Sequence, residues 1–188
     1  MHRENAPPPR DDIMATKKTS IFTLTERLAL NTPNTPLTAT IDLGSYVDVG
    51  DRQALQIHSV DYIFQGATAD GTLNGAFGTD ASEVQVQVTD LNRSALVFAD
   101  DRALISSARF LWAGTHADME ADLYPDNFGK GSEDGRYVVN DTLYIVGEVN
   151  DLGTDGACHV TVRVNASIVS LSAKDFMAIA IQSTAADN

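Results

Sequence analysis

Residues 116–122 read His-Ala-Asp-Met-Glu-Ala-Asp, which puts His116, Asp118, Glu120 and Asp122 at every second position. An imidazole beside alternating carboxylates is a donor set for a divalent cation, and the hard oxygens favour calcium. Asp126, Glu133 and Asp134 are further candidates for the same ion. The spacing differs from that of an EF-hand loop. Two readings stay open: a solvated acidic loop with no cofactor, and a structural Ca2+ at a subunit contact. Aromatic residues border the same stretch, with Trp112 before it and Tyr124, Phe128 and Tyr137 after it. Aromatics beside a polar loop suit a protein contact surface as well as they suit local packing.

Catalytic chemistry finds little support. The other histidines, His2, His58 and His159, are scattered along the chain. There is no Gly-x-Ser-x-Gly elbow, and Gly129-Lys130-Gly131-Ser132 lacks the upstream glycine and the Lys-Ser/Thr order of a phosphate-binding loop. No catalytic residue is assigned, and the expectation is a protein that is not an enzyme. The single cysteine, Cys158, excludes an intramolecular disulfide and reads as a buried thiol at the start of a strand. Three Asn-x-Ser/Thr sequons, at Asn92, Asn140 and Asn165, are close to what ten asparagines give by chance.

The elements that must carry these residues alternate with period two. Val84, Val86 and Val88 alternate with Gln85 and Gln87, and Val160, Val162 and Val164 with Thr161 and Arg163. Such alternation puts one set of side chains on a core and the other toward solvent. Strands are expected at 20–30 (with a short helix over 25–30 as the rival), 37–43, 54–65, 83–89, 95–99 and 106–113. In 54–65 the apolar parity switches between Ile57 and Val60, which predicts a bulge near His58 and Ser59. Residues 142–171 read as a long antiparallel hairpin turning through Asn150, Asp151, Gly153, Asp155 and Gly156. Residues 66–82 and 114–136 read as loops, the second long enough to suggest a contact function. Ser172 and Asp175 fit a capping box, predicting a short C-terminal helix over about 173–182, with a final strand as the alternative.

The fold class is therefore all-β: a single antiparallel β-sandwich over 20–188, best matched by an eight-stranded jelly roll. Residues 1–19 precede it as an extended arm in which Pro7, Pro8 and Pro9 favour polyproline II. The arm is either a loose tail or a clamp on a neighbour.

Composition narrows the partners. With 188 residues and 43% hydrophobic content, the chain can build one sizeable core. Its net charge of −13 argues against direct nucleic-acid binding by the folded body. The acids are mostly aspartate, which suits either β turns or a protein working in concentrated salt. There is no run long enough for a transmembrane segment, and the N-terminus lacks the apolar region of a secretory signal peptide.

A single β domain with a proline-bearing arm, long loops and no catalytic constellation resembles the single jelly-roll capsid proteins of icosahedral viruses. In size and composition it is most similar to those of viruses infecting halophilic archaea or related hosts, some of which enclose a lipid membrane. The resemblance covers the whole chain through general character rather than one motif. It implies a virion location and a homo-oligomer, or an assembly with other capsid proteins. Pro7, Pro8, Pro9, Trp112, Tyr124 and Phe128 would then lie at subunit contacts, and the chain would sit close to an internal virion membrane. A virion decoration or spike protein is the nearest variant. From a different class, a β-sandwich binding module for carbohydrate or another cell-surface ligand remains the alternative.

Overall fold

The computed structural model describes residues 15–68, 76–77, 81–113, 116–121 and 136–185. Ten strands and one helix follow one another: β1 (Ala15–Lys17), β2 (Phe22–Leu30), β3 (Leu37–Asp42), β4 (Gln53–Gln65), β5 (Ser82–Thr89), β6 (Leu104–Trp112), β7 (Ala117–Ala121), β8 (Arg136–Val138), β9 (Thr142–Val149), β10 (Cys158–Leu171) and α1 (Ala173–Ala185).

Four antiparallel ladders nest inside one another. Leu30 of β2 faces Cys158 of β10, Leu37 of β3 faces Gly147 of β9, Leu55 of β4 faces Val138 of β8, and Ser82 of β5 faces Trp112 of β6. The chain is in effect one long hairpin with its tip at 90–103. Rolled up, alternate rungs fall in opposite sheets, closed by ladders from β10 to β4 and from β9 to β5. One sheet runs β2-β10-β4-β8, with β1 also on β10; the other runs β3-β9-β5-β6-β7. This is the jelly-roll order, with β1 and β7 added to the expected eight strands.

The expected hairpin over 142–171 is corrected. β9 and β10 lie in different sheets, each already held on both edges. Residues 150–157 instead cross between the sheets. Asn150 is fixed to Glu83 by two hydrogen bonds (3.1 Å from its N to the Glu83 carbonyl, 2.6 Å from the Glu83 N to its Oδ1), and Gly153 N donates to the Ala76 carbonyl at 2.9 Å. Gly156 turns the chain at φ 67°.

The bulge falls where the parity switch placed it. Asn165 pairs with Ser59 and Ala166 with Ile57, so His58 has no ladder partner. This slip lets Leu55, Ile57, Val60 and Tyr62 all face the inter-sheet core, with Val84, Val86, Val88, Val160, Val162 and Val164. A second core lies on the opposite face of the first sheet, where Phe176 of α1 packs with Ala54, Tyr137, Val139, Val169 and Leu171. The helix is capped as expected: Asp175 N donates to Ser172 Oγ at 3.1 Å, and Ser172 Oγ donates to the Asp175 carboxylate at 2.6 Å.

Other expectations shift at the edges. Residues 95–99 form no strand, and β6 begins at Leu104. Residues 117–121, expected in a loop, pair with β6 as β7. Gln87, expected toward solvent, is buried together with Thr89, because the segment 90–103 folds back over them. Residues 15–17 of the arm form β1, opposite Val169–Leu171; residues 1–14, with Pro7, Pro8 and Pro9, lie outside the described residues.

Candidate functional site

The loops 43–52, 90–103 and 139–141 meet at one end of the sandwich. Leu43 N donates to the Asp141 carbonyl at 2.7 Å, Asn140 Nδ2 to the Asp90 carbonyl at 2.7 Å, and Asp90 N to the Ala103 carbonyl at 3.0 Å. Leu171 N donates to the Arg52 carbonyl at 3.0 Å, bringing the end of β10 to the same place.

Asp90 is the hub. Its carboxylate is buried, accepts a 3.2 Å hydrogen bond from Ser183 Oγ of α1, and lies 3.6 Å from Arg136 Nη2. Arg136 also donates to the Arg102 carbonyl. Asp90 Oδ1 is buried with no hydrogen-bond partner among the described residues. Burial raises the Asp90 pKa, against the opposing pull of Arg136 and the Ser183 hydrogen bond. One carboxylate thus ties together the hairpin tip, β8 and the C-terminal helix.

Beside this hub is an open groove of about 430 Å³. Val47, Val49, Leu91, Val139 and Tyr144 contribute apolar lining, and Asn92, Asn140, Asp141 and Thr142 polar lining. Val49 is 71% exposed at the rim. On the same hairpin tip Phe98 is 85% exposed, although the backbone beneath it is firmly held. Gln87 Nε2 donates to the Val97 carbonyl at 2.9 Å, and Val97 N donates to Gln87 Oε1 at 2.8 Å. The buried amide takes the part of a missing strand. Arg93 and Asp101 form a 3.0 Å ion pair across the same loop.

The residues expected to bind metal are only partly described. His116 and Asp118 are exposed, Glu120 occupies the β7 position opposite Arg109, and Asp122 lies outside the described residues. Among the described residues no three His, Cys, Asp or Glu side chains gather as a metal site would need. Of the expected contact residues, Trp112 is half-buried against the main core, while Tyr124 and Phe128 lie outside the described residues.

The remaining titratable groups have structural settings. Cys158 is fully buried, and burial pushes its thiol up to about 12, so it has no nucleophilic character at neutral pH. His58, at the bulge, shares a 2.8 Å hydrogen bond between Nε2 and Ser167 Oγ. Burial, helped by the charge of Lys17, lowers its pKa.

The sequence reading missed Asp90, Phe98, Gln87 and Ser183. Asp90 looked like an ordinary turn residue. The one available signal was Phe98, an aromatic followed by Ala-Asp-Asp-Arg, too polar a run to continue a buried strand.

No protein-family model matches the sequence, and no curated protein matches it. Among solved structures, the chain is similar to a protein of Desmodium yellow mottle tymovirus at 10% identity, covering 91% of this chain and 96% of that one, with a TM-score of 0.32. It is similar to VP1 of Trichodysplasia spinulosa-associated polyomavirus, solved in complex with sialylated glycooligomers, at 10% identity, covering 85% and 100%, with a TM-score of 0.38. It is also similar to a protein of empty-head turnip yellow mosaic virus at 13% identity, covering 92% and 90%, with a TM-score of 0.32. Superposition at this level is loose, and the jelly-roll assignment rests on the nested strand pairing of the chain itself.

Proposed function

We propose that this chain is a virion structural protein, a capsid subunit that assembles with many copies of itself or with other capsid proteins. The observation that carries this reading is where the large apolar side chains are exposed. Phe98 and Val49 stand out at the loop end, Met119 on edge strand β7, and Met177 on the outer side of α1. Apolar groups spread over an end, an edge and a flank suit a wall unit with several neighbours. The rolled hairpin supplies the rigid body, and residues 15–17 pair with it as β1. The role is structural rather than enzymatic.

Finer features belong to the same reading. The charge of −13, mostly from aspartate, suits assembly in concentrated salt, as in a halophilic host. His116, Asp118, Glu120 and Asp122 would supply a structural Ca2+ at a contact. Proximity to an internal virion membrane belongs to the same proposal, and among the described residues no helix is long and apolar enough to cross one.

A second reading has one observation in its favour: the groove at the loop end has polar lining suited to a sugar. It makes the chain a β-sandwich binding module. Electron microscopy and light scattering of the purified chain in high salt with Ca2+ separate the two. Large symmetric particles support the capsid subunit. A monodisperse monomer at high concentration that binds on a glycan array supports the binding module and removes the capsid reading.

A further inference from the structure

We infer that Phe98 of one copy seats in the loop-end groove of a second copy, so that this end carries both halves of a self-contact. The inference deepens the capsid reading by naming one contact and its partner.

The knob is preorganised. Gln87 fixes Val97 from both sides, Asp101 N donates to the Phe98 carbonyl at 3.1 Å, and Arg93 holds Asp101. An aromatic on a fixed backbone loses little freedom on binding, and aromatics are the usual anchors of interfaces. The receptor is on the same molecule. A groove of about 430 Å³ with apolar lining from Val47, Val49, Val139 and Tyr144 has room for a ring. Phe98 is 85% exposed, so it does not occupy the groove of its own chain. Val49, 71% exposed at the rim, is apolar surface that a seated ring would cover.

Between two copies one complementary charge pair is available. Arg102, exposed on the knob loop, travels toward a rim that carries exposed Asp141. Asp100, also exposed beside Phe98, works against the contact between two acidic chains, so association should strengthen as salt is added.

The test is analytical ultracentrifugation of the full chain in about 1 M salt, where the Debye length is about 3 Å. The wild-type chain should self-associate. Phe98→Ala and Val49→Asp should each weaken association by about thirty-fold or more, with melting temperatures close to wild type because both side chains are exposed. The decisive sample is the mixture. The Val49→Asp copy keeps its knob and the Phe98→Ala copy keeps its groove, so mixing should restore association that neither shows alone. A mixture as weak as its components, or unchanged association of Phe98→Ala, overturns the inference. If Phe98→Ala still builds wild-type particles, the inference fails and the capsid reading stands. If pairs form and respond to the variants but no larger species appears, the capsid reading fails and the inference stands.

Discussion

The segments 90–103 and 150–157 look alike in the sequence and behave differently in the fold. Both open with turn-forming residues, Asp-Leu-Asn-Arg-Ser in one and Asn-Asp-Leu-Gly-Thr-Asp-Gly in the other. The first joins β5 to β6, which pair with each other, and it folds back over its own sheet. The second joins β9 to β10, which do not pair, and it crosses the sandwich. Turn chemistry says that the chain bends there. Whether the bend closes a hairpin depends on which strand edges are still free, and that is a property of the whole rolled-up chain. The fold-back segment is held by a strand side chain, Gln87, whereas the crossing is held through Asn150, which bonds Glu83 and Asn34, through Gly153, and by Leu152 against the core.

The largest test of this contrast is Gln87→Ala. It removes both hydrogen bonds to Val97 and leaves the N–H and carbonyl of this half-buried residue without the Gln87 amide. A loss of about 2 kcal/mol is expected. Limited proteolysis should then cut near 95–100 well before global unfolding. Unchanged proteolysis would mean that the remaining contacts, the Arg93–Asp101 pair and the backbone bonds of the loop, hold the tip without Gln87.

The crossing should respond less, and through conformation rather than contacts. A Cβ at Gly156 would meet no atom within 4 Å, so Gly156→Ala tests only the cost of φ 67°. About 1 kcal/mol is expected, seen as a small drop in unfolding midpoint with no change in proteolytic pattern. Asn150→Ala removes the 2.6 Å acceptor for Glu83 N at an exposed position and should cost about 1 kcal/mol or less. An effect of either substitution larger than that of Gln87→Ala would reverse the ranking of the two segments.

The same contrast explains what the sequence could and could not say. Alternation assigns a face, so Val84, Val86 and Val88 and Val160, Val162 and Val164 were legible as core. A change of parity marks a bulge, so His58 was legible too. The Ser172–Asp175 cap is local and needs no tertiary knowledge. Pairing partners were not legible, because alternation carries no information about which strand lies alongside. The burial of Gln87 and Thr89 was hidden for a related reason: their strand pattern is correct, and the loop that joins β5 to β6 folds back to cover their outer face. The loop-end site was hidden because Asp90, Arg136 and Ser183 come from three separate stretches and meet only after rolling up.

The smallest effects lie in pH, where Asp90 at the fold-back end and His58 at the bulge pull in opposite directions. Burial raises the Asp90 pKa above 3.8, so between that value and its folded pKa the folded chain holds a proton that the unfolded chain has lost. Its contribution to stability is fully present below 3.8 and is lost as pH rises through the folded value. His58 is lowered below 6.5, so the unfolded chain binds the extra proton, and its contribution is present above 6.5 and lost as pH falls through the folded value. Urea unfolding across a pH series should separate them. Asp90→Asn keeps an acceptor for Ser183 and removes the titration, so the difference from wild type should grow in favour of the variant as pH rises from about 4. His58→Gln should flatten the loss of stability on the acid side of 6.5. If Asp90→Asn instead loses stability at neutral pH, the Arg136 ion pair outweighs burial, and the hub is held by charge rather than by the Ser183 and backbone hydrogen bonds.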